Sequence, residues 1–80
     1  MDMKVTYHPK HNVAYIALRD KPDQVETVRL SDEINVDLAP DGSVYGIELL
    51  NASRQLSADG GQLIVINQQS GQSSQLKLAM

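Results

Sequence analysis

The chain contains no cysteine, no phenylalanine and no tryptophan. The first absence removes disulfides, thiol nucleophiles and thiolate metal ligands together, and a small disulfide-free chain fits a reducing compartment. The other two leave three tyrosines as the only large aromatic volume, so packing falls on valine, isoleucine and leucine. Positive charge is sparse: seven lysines and arginines against ten acidic residues give a net charge of −3. Lys4, Lys10, Arg19, Lys21, Arg29, Arg54 and Lys77 are scattered, which argues against nucleic-acid binding, whose affinity rests on neutralising phosphates. No run approaches the ~20 consecutive apolar residues that cross a bilayer, and no apolar stretch follows a basic start. We expect a soluble, cytoplasmic protein with no membrane or nucleic-acid partner and no cofactor.

What remains is an ordinary globular composition, 41% hydrophobic and 21% charged over 80 residues. A chain of this length buries only about 60% of the surface its unfolded form exposes, so its core is thin. Metal binding or self-association must supplement it, and the poor inventory of metal ligands favours a homodimer.

The dominant period along the first two thirds is two, the period of strands. Lys4–Tyr7 alternates, and His8-Pro9-Lys10-His11-Asn12 breaks it with turn residues. Val13–Leu18 is apolar on both faces, which predicts a central strand covered on both sides. Val25–Leu30 predicts a third strand and Ile34–Leu38 a fourth, with Ile34, Val36 and Leu38 inward and Asn35 and Asp37 outward. Pro40-Asp41-Gly42 closes a hairpin: proline suits the first central position of a type I turn, and glycine takes the left-handed position that follows. In the fifth strand, Ser43–Leu50, Tyr45, Ile47 and Leu49 share one face and Val44, Gly46, Glu48 and Leu50 the other. Gly46 in mid-strand signals a bulge or a close backbone approach. Asn51 is placed as the N-cap of a short helix, Ala52–Leu56, with Ala52 and Leu56 as its apolar contacts. The fold class expected is α+β, predominantly antiparallel β: a curled meander of five or six strands with one short helix after the fifth.

Residues 1–56 form the β-rich domain on this reading, and residues 57–80 a C-terminal extension. Ser57–Gly61 reads as a hinge. Leu63–Ile66 reads either as a sixth strand closing the domain's own sheet or as an uncovered edge that pairs with another chain. Gln68–Gln75 is polar and low in complexity, a loop or disordered stretch. Leu76–Met80 either pairs as a final strand or frays.

Three groups of residues carry candidate chemistry. His8 and His11 flank Pro9 in the first turn; as a metal site they lack the third and fourth ligands such a centre needs, and two exposed turn histidines are the simpler account of them. Glu48 and Asp37 lie on strands joined by one hairpin, and carboxylates in unlike surroundings divide acid and base roles because burial raises one pKa. Against this, the simpler account of Glu48 is an exposed strand carboxylate, or an acceptor at the helix start that follows it. Tyr7, Tyr15 and Tyr45 form a possible cross-strand cluster serving packing rather than a ligand. No serine sits in a nucleophile elbow, and Gly60-Gly61 lacks the residues of a phosphate-binding loop.

Several blocks together resemble a family of small bacterial proteins, domain of unknown function 2283, over residues 3–56. They are Lys4–Tyr7, Asn12–Leu18 with Tyr15-Ile16 at its centre, Glu26-Thr27, Val36-Asp37, Asp41-Gly42, and above all Gly46-Ile47-Glu48-Leu49-Leu50-Asn51-Ala52-Ser53. His8 and Asn12 stand where that family tends to have aspartates. The family has no assigned activity, so the resemblance implies a fold and no reaction. The function expected is a non-enzymatic interaction or regulatory module, antitoxin-like in that small acidic proteins neutralise basic ones. It would associate with itself or with a protein partner through a sheet edge. The alternative is a minimal acid/base enzyme using Glu48, with Asp37 or Tyr15, in a cleft built by a dimer.

Overall fold

In the computed structural model, which describes residues 2–56 and 61–77, alternation of apolar and polar residues becomes alternation of faces. Strands β1 (Lys4–His8), β2 (Val13–Ala17), β3 (Glu26–Arg29), β4 (Ile34–Leu38) and β5 (Val44–Leu50) precede helix α1 (Ala52–Gln55). They form one antiparallel sheet in the order β1-β2-β5-β4-β3. The expected α+β class holds: mostly antiparallel strands, one short helix after the fifth, and no closed barrel among the described residues. The meander runs in two pieces. β1–β2 is one hairpin and β3–β4–β5 is a run of neighbours; β5 docks between β4 and β2, so the β2–β3 connection crosses to the far edge.

The register places Val5, Tyr7, Ala14, Ile16, Ile34, Val36, Ile47 and Leu49 on one face. Helix α1 covers part of this face with Ala52, and Leu56, the residue closing the helix, packs on the same cluster. Only Ala14, Leu49 and Ala52 are buried apolar residues, and no large side chain is fully buried among the described residues. β2 does not have the two covered faces its composition suggested. It is interior to the sheet, yet Ala14 is its one buried residue, because Val13, Tyr15 and Ala17 look onto the polar face.

Pro40-Asp41-Gly42 closes the β4–β5 hairpin as expected. The Gly42 amide donates to the Ala39 carbonyl at 2.9 Å, and Gly42 takes a φ of +87°. The register then slips by one. Asp37 faces Gly46 but Leu38 faces Val44, leaving Tyr45 as the extra residue of a bulge. This re-aims Tyr45 toward Tyr15, with ring centroids 5.9 Å apart and planes at 41°. Tyr45 thus departs from the face predicted by simple alternation, and Tyr7, on the helix-covered face, stays out of the pair.

Beyond the helix, β6 (Gln62–Ile66) and β7 (Ser73–Lys77) pair with each other in a separate two-stranded sheet. Leu63–Ile66 therefore does not close the main sheet as the first of its two readings had it; a local partner, drawn from the end of the polar segment and the start of the expected final strand, takes that pairing instead. Residues 68–70 make the turn, where the Asn67 side chain accepts the Gln69 and Ser70 amides at 3.0 and 3.1 Å. Most of the expected hinge, residues 57–60, and the end of the expected final strand, residues 78–80, lie outside the described residues.

Candidate functional site

Polar side chains converge on the sheet face opposite α1. Cross-strand register brings Thr6, Tyr15, Glu48, Asn35 and Arg29 into one row, and Ala17, Gly46, Asp37 and Thr27 into the next. Asp37 and Glu48 are therefore diagonal neighbours on adjacent strands, a separation of about 7–8 Å between backbones by ladder geometry. The two carboxylates singled out by sequence do share a face, and each is half-buried.

Each is also already engaged. The Tyr15 hydroxyl donates to Asp37 Oδ2 at 2.6 Å, and the Thr27 hydroxyl donates to Asp37 Oδ1. Asn35 Nδ2 donates to Glu48 Oε1 at 2.9 Å. Glu48 is thus a half-buried strand carboxylate bonded across the sheet to Asn35.

Tyr15 is the most perturbed group of this face. Its phenol pKa is pushed far above the ordinary 10.0, first by loss of solvent, then by its hydrogen bond to Asp37 and the negative charge there, with Tyr45 and Glu48 adding to the repulsion. A phenol so placed is a neutral donor, not a base. The ring lies over Gly46: a Cβ at that position would collide with the Tyr15 hydroxyl and ring edge. Gly46, buried in mid-strand, is therefore the floor on which the tyrosine rests.

His8 ends β1 and His11 sits in the turn that follows, both exposed, with the His11 amide donating to the His8 carbonyl at 3.3 Å. Among the described residues no three His, Asp or Glu side chains converge as a metal site would require.

Sequence reasoning missed Thr27 and Asn35 as partners of the two carboxylates. Alternation already placed Asn35 and Asp37 together, but the register that brings Glu48 to Asn35 and Thr27 to Asp37 lies in the pairing, not in any one strand. It also missed Asn12. That residue's carbonyl accepts the Ala52 amide and its side-chain oxygen the Ser53 amide, both at 2.9 Å. Asn51 occupies the N-cap position as expected, but makes no side-chain cap bond and accepts instead from Asn12 Nδ2 at 3.1 Å.

An apolar concavity lies on the other side of the sheet. About 600 Å³ in volume, it is lined mainly by Met3, Val5, Ile16, Leu56 and Leu63, with Gln55 and Gln62 as its polar side chains. None of the acid–base candidates touches it.

Neither a curated protein nor a solved structure matches the chain. A family model does, over residues 4–53, more than half of its length and spanning β1 through the start of α1. By that match the chain belongs to the family described as "Protein of unknown function (DUF2283)".

Proposed function

We propose that this chain is a non-enzymatic interaction or regulatory module that works by associating with protein. The observation that carries this reading is the amount of apolar surface left open. Met3, Val5, Leu30, Ile64, Val65, Ile66 and Leu76 are between 42% and 64% exposed, while among the described residues only Ala14, Leu49 and Ala52 form the buried core. Scattered exposed apolar residues are ordinary, but Leu63 to Ile66 are four exposed apolar residues in succession on one strand, and such a run on so small a chain marks a contact site.

The polar face supports the same reading. Its carboxylates accept hydrogen bonds from Tyr15, Thr27 and Asn35, an arrangement that fixes strand register and leaves no base poised beside a cleft. With a net charge of −3, the chemistry of a heterologous partner that suits this chain is a small basic protein, the antitoxin-like form of the proposal.

The test is a measurement of assembly. The purified chain, alone and co-expressed with any small basic protein encoded beside it, is run through size-exclusion chromatography with light scattering. A complex of defined mass, with itself or with that protein, is the expected result. A strict monomer up to millimolar concentration that also fails to co-elute with that protein would overturn the proposal.

A further inference from the structure

The hairpin β6–β7 stands apart from the sheet, and its two strands differ sharply in character. β6 carries Leu63, Ile64, Val65 and Ile66 in succession, 38%, 49%, 57% and 61% exposed. β7 reads Ser-Ser-Gln-Leu-Lys. Each is paired on one side only among the described residues. A lone two-stranded hairpin is marginal in water; a third strand or a covering layer is what makes such a unit persist.

The edges of the main sheet are protected in the usual manner, by charge and proline. β1 begins with Lys4 and runs into His8, Pro9 and Lys10, and β3 is flanked by Glu26 and Arg29. β6 has no such guard. Between Asp59 and Lys77 the sequence contains no lysine, arginine, histidine, aspartate or glutamate. Two copies that each carry a net charge of −3 meet with little repulsion at a neutral patch. The β6 edge is that patch, and a neutral edge is complementary to itself.

We infer that β6 pairs antiparallel with β6 of a second copy, giving a four-stranded sheet in the order β7-β6-β6-β7. The inference rests on the interaction reading above and names its partner. This arrangement puts the two apolar strands at the centre and the two Ser/Gln strands at the rims. Pairing gives the open backbone groups along the β6 edge a partner and sets the exposed apolar side chains of the two β6 strands beside one another across the seam.

The symmetry makes a sharp demand. An isologous antiparallel pair has its two-fold axis perpendicular to the sheet, and directly opposed residues must point to the same face. The axis therefore passes through a residue rather than between two, and that residue meets its own copy. For an apolar run of four, this is Ile64 or Val65.

Because the chain has no cysteine, single-cysteine variants report the contact directly. Ile64→Cys and Val65→Cys are compared under mild oxidation with Thr6→Cys on β1 and Arg29→Cys on β3. One of the two β6 variants is expected to form a covalent dimer at least roughly tenfold faster than either comparator, since opposed strand positions meet the disulfide's distance limits. Light scattering on the unmodified chain is expected to give a dimer. Val65→Lys is expected to shift it toward monomer while the amide spectrum of the five-stranded sheet is kept, because β6 is not part of that sheet. Should that variant unfold, the cysteine comparison decides alone. Faster cross-linking at β1 or β3, or open-ended oligomers without a dimer plateau, would overturn the β6 pairing while leaving the interaction reading intact. A monomer that binds a basic partner would do the same, and a monomer with no partner would remove both.

Discussion

The side-chain oxygen of Asn12 lies 2.9 Å from the backbone nitrogen of Ser53, so the helix after β5 is capped from the turn between β1 and β2. Both Asn12 and the adjacent Asn51 hold a φ of 54°, a left-handed conformation that asparagine tolerates better than most residues. Asn12 thus does two things: it turns the first hairpin, and it satisfies two amides that a four-residue helix leaves open. Folding of the hairpin and docking of the helix are tied together through one residue.

Glycine substitutions separate these roles, since glycine keeps the left-handed backbone and removes the side chain. Asn12→Gly is expected to cost about 0.5–2 kcal/mol, the ordinary value of a lost N-cap. Asn51→Gly, whose side chain caps nothing, is expected to stay within about 0.5 kcal/mol. Urea midpoints of the two variants at equal m-value give the comparison; equal losses would assign the cap to neither.

Gly46 and Tyr15 form a second coupled pair. A methyl group at Gly46 would meet the Tyr15 hydroxyl and ring, and the ring is not free to swing because its hydroxyl is held by Asp37. Gly46→Ala is expected to destabilise by about 1–3 kcal/mol, the range for overpacking. In a Tyr15→Val background most of that cost should vanish, because the obstructing ring is gone. A double-mutant cycle by chemical denaturation measures the coupling, and additive losses would place the strain elsewhere.

Much of this was legible along the chain, and the remainder was hidden for identifiable reasons. Ile34–Leu38 alternates without a break and became a strand with those ends. Pro40-Asp41-Gly42 carries its own turn chemistry, and Gly46 signalled a bulge or a close approach; the bulge falls next to it, at Tyr45, and Tyr15 is what approaches it. Strand order was not legible, because alternation specifies which face a residue joins and is silent on which strand lies alongside. For the same reason the bonds Asn35–Glu48 and Thr27–Asp37 could not be read from either partner's surroundings. Leu63–Ile66 was legible as a strand, but its partner was read as starting only at Leu76, because Ser73–Gln75 has little β-propensity of its own and is strand only through its pairing with β6.

The half-buried Tyr15 predicts a response to alkali. Folding raises the Tyr15 pKa above its ordinary 10.0, through loss of solvent and then the bond to Asp37, so the folded state holds the phenol proton more tightly than the unfolded one. Its contribution to stability is whole below pH 10 and is lost as pH rises above it. Wild-type stability is therefore expected to fall more steeply than that of Tyr15→Phe above about pH 10. In phenolate absorbance, part of the wild-type signal should appear only as the chain unfolds, and Tyr15→Phe should lack that part. A wild-type titration complete before unfolding would contradict the desolvated, Asp37-bonded placement.

Asp41 offers the opposite sign in the hairpin turn. The Ser43 hydroxyl donates to Asp41 Oδ1 at 2.6 Å and the Ser43 amide to the same atom at 3.0 Å. These bonds, the hydroxyl's first, hold the carboxyl below its ordinary 3.8. A depressed pKa contributes stability that is present above the ordinary value and is lost as pH falls through the folded one. The carboxyl is fully exposed, so the sensitive readout is the titration itself rather than the unfolding curve. Ser43→Ala removes the hydroxyl and keeps the amide, and is expected to move the Asp41 pKa part of the way back toward 3.8, followed by the side-chain carboxyl carbon shift in NMR. Ser43→Thr, which restores a hydroxyl, should hold it down. An Asp41 titration unmoved by Ser43→Ala would show that the backbone amide alone sets the turn, and that Ser43 serves only to begin the strand.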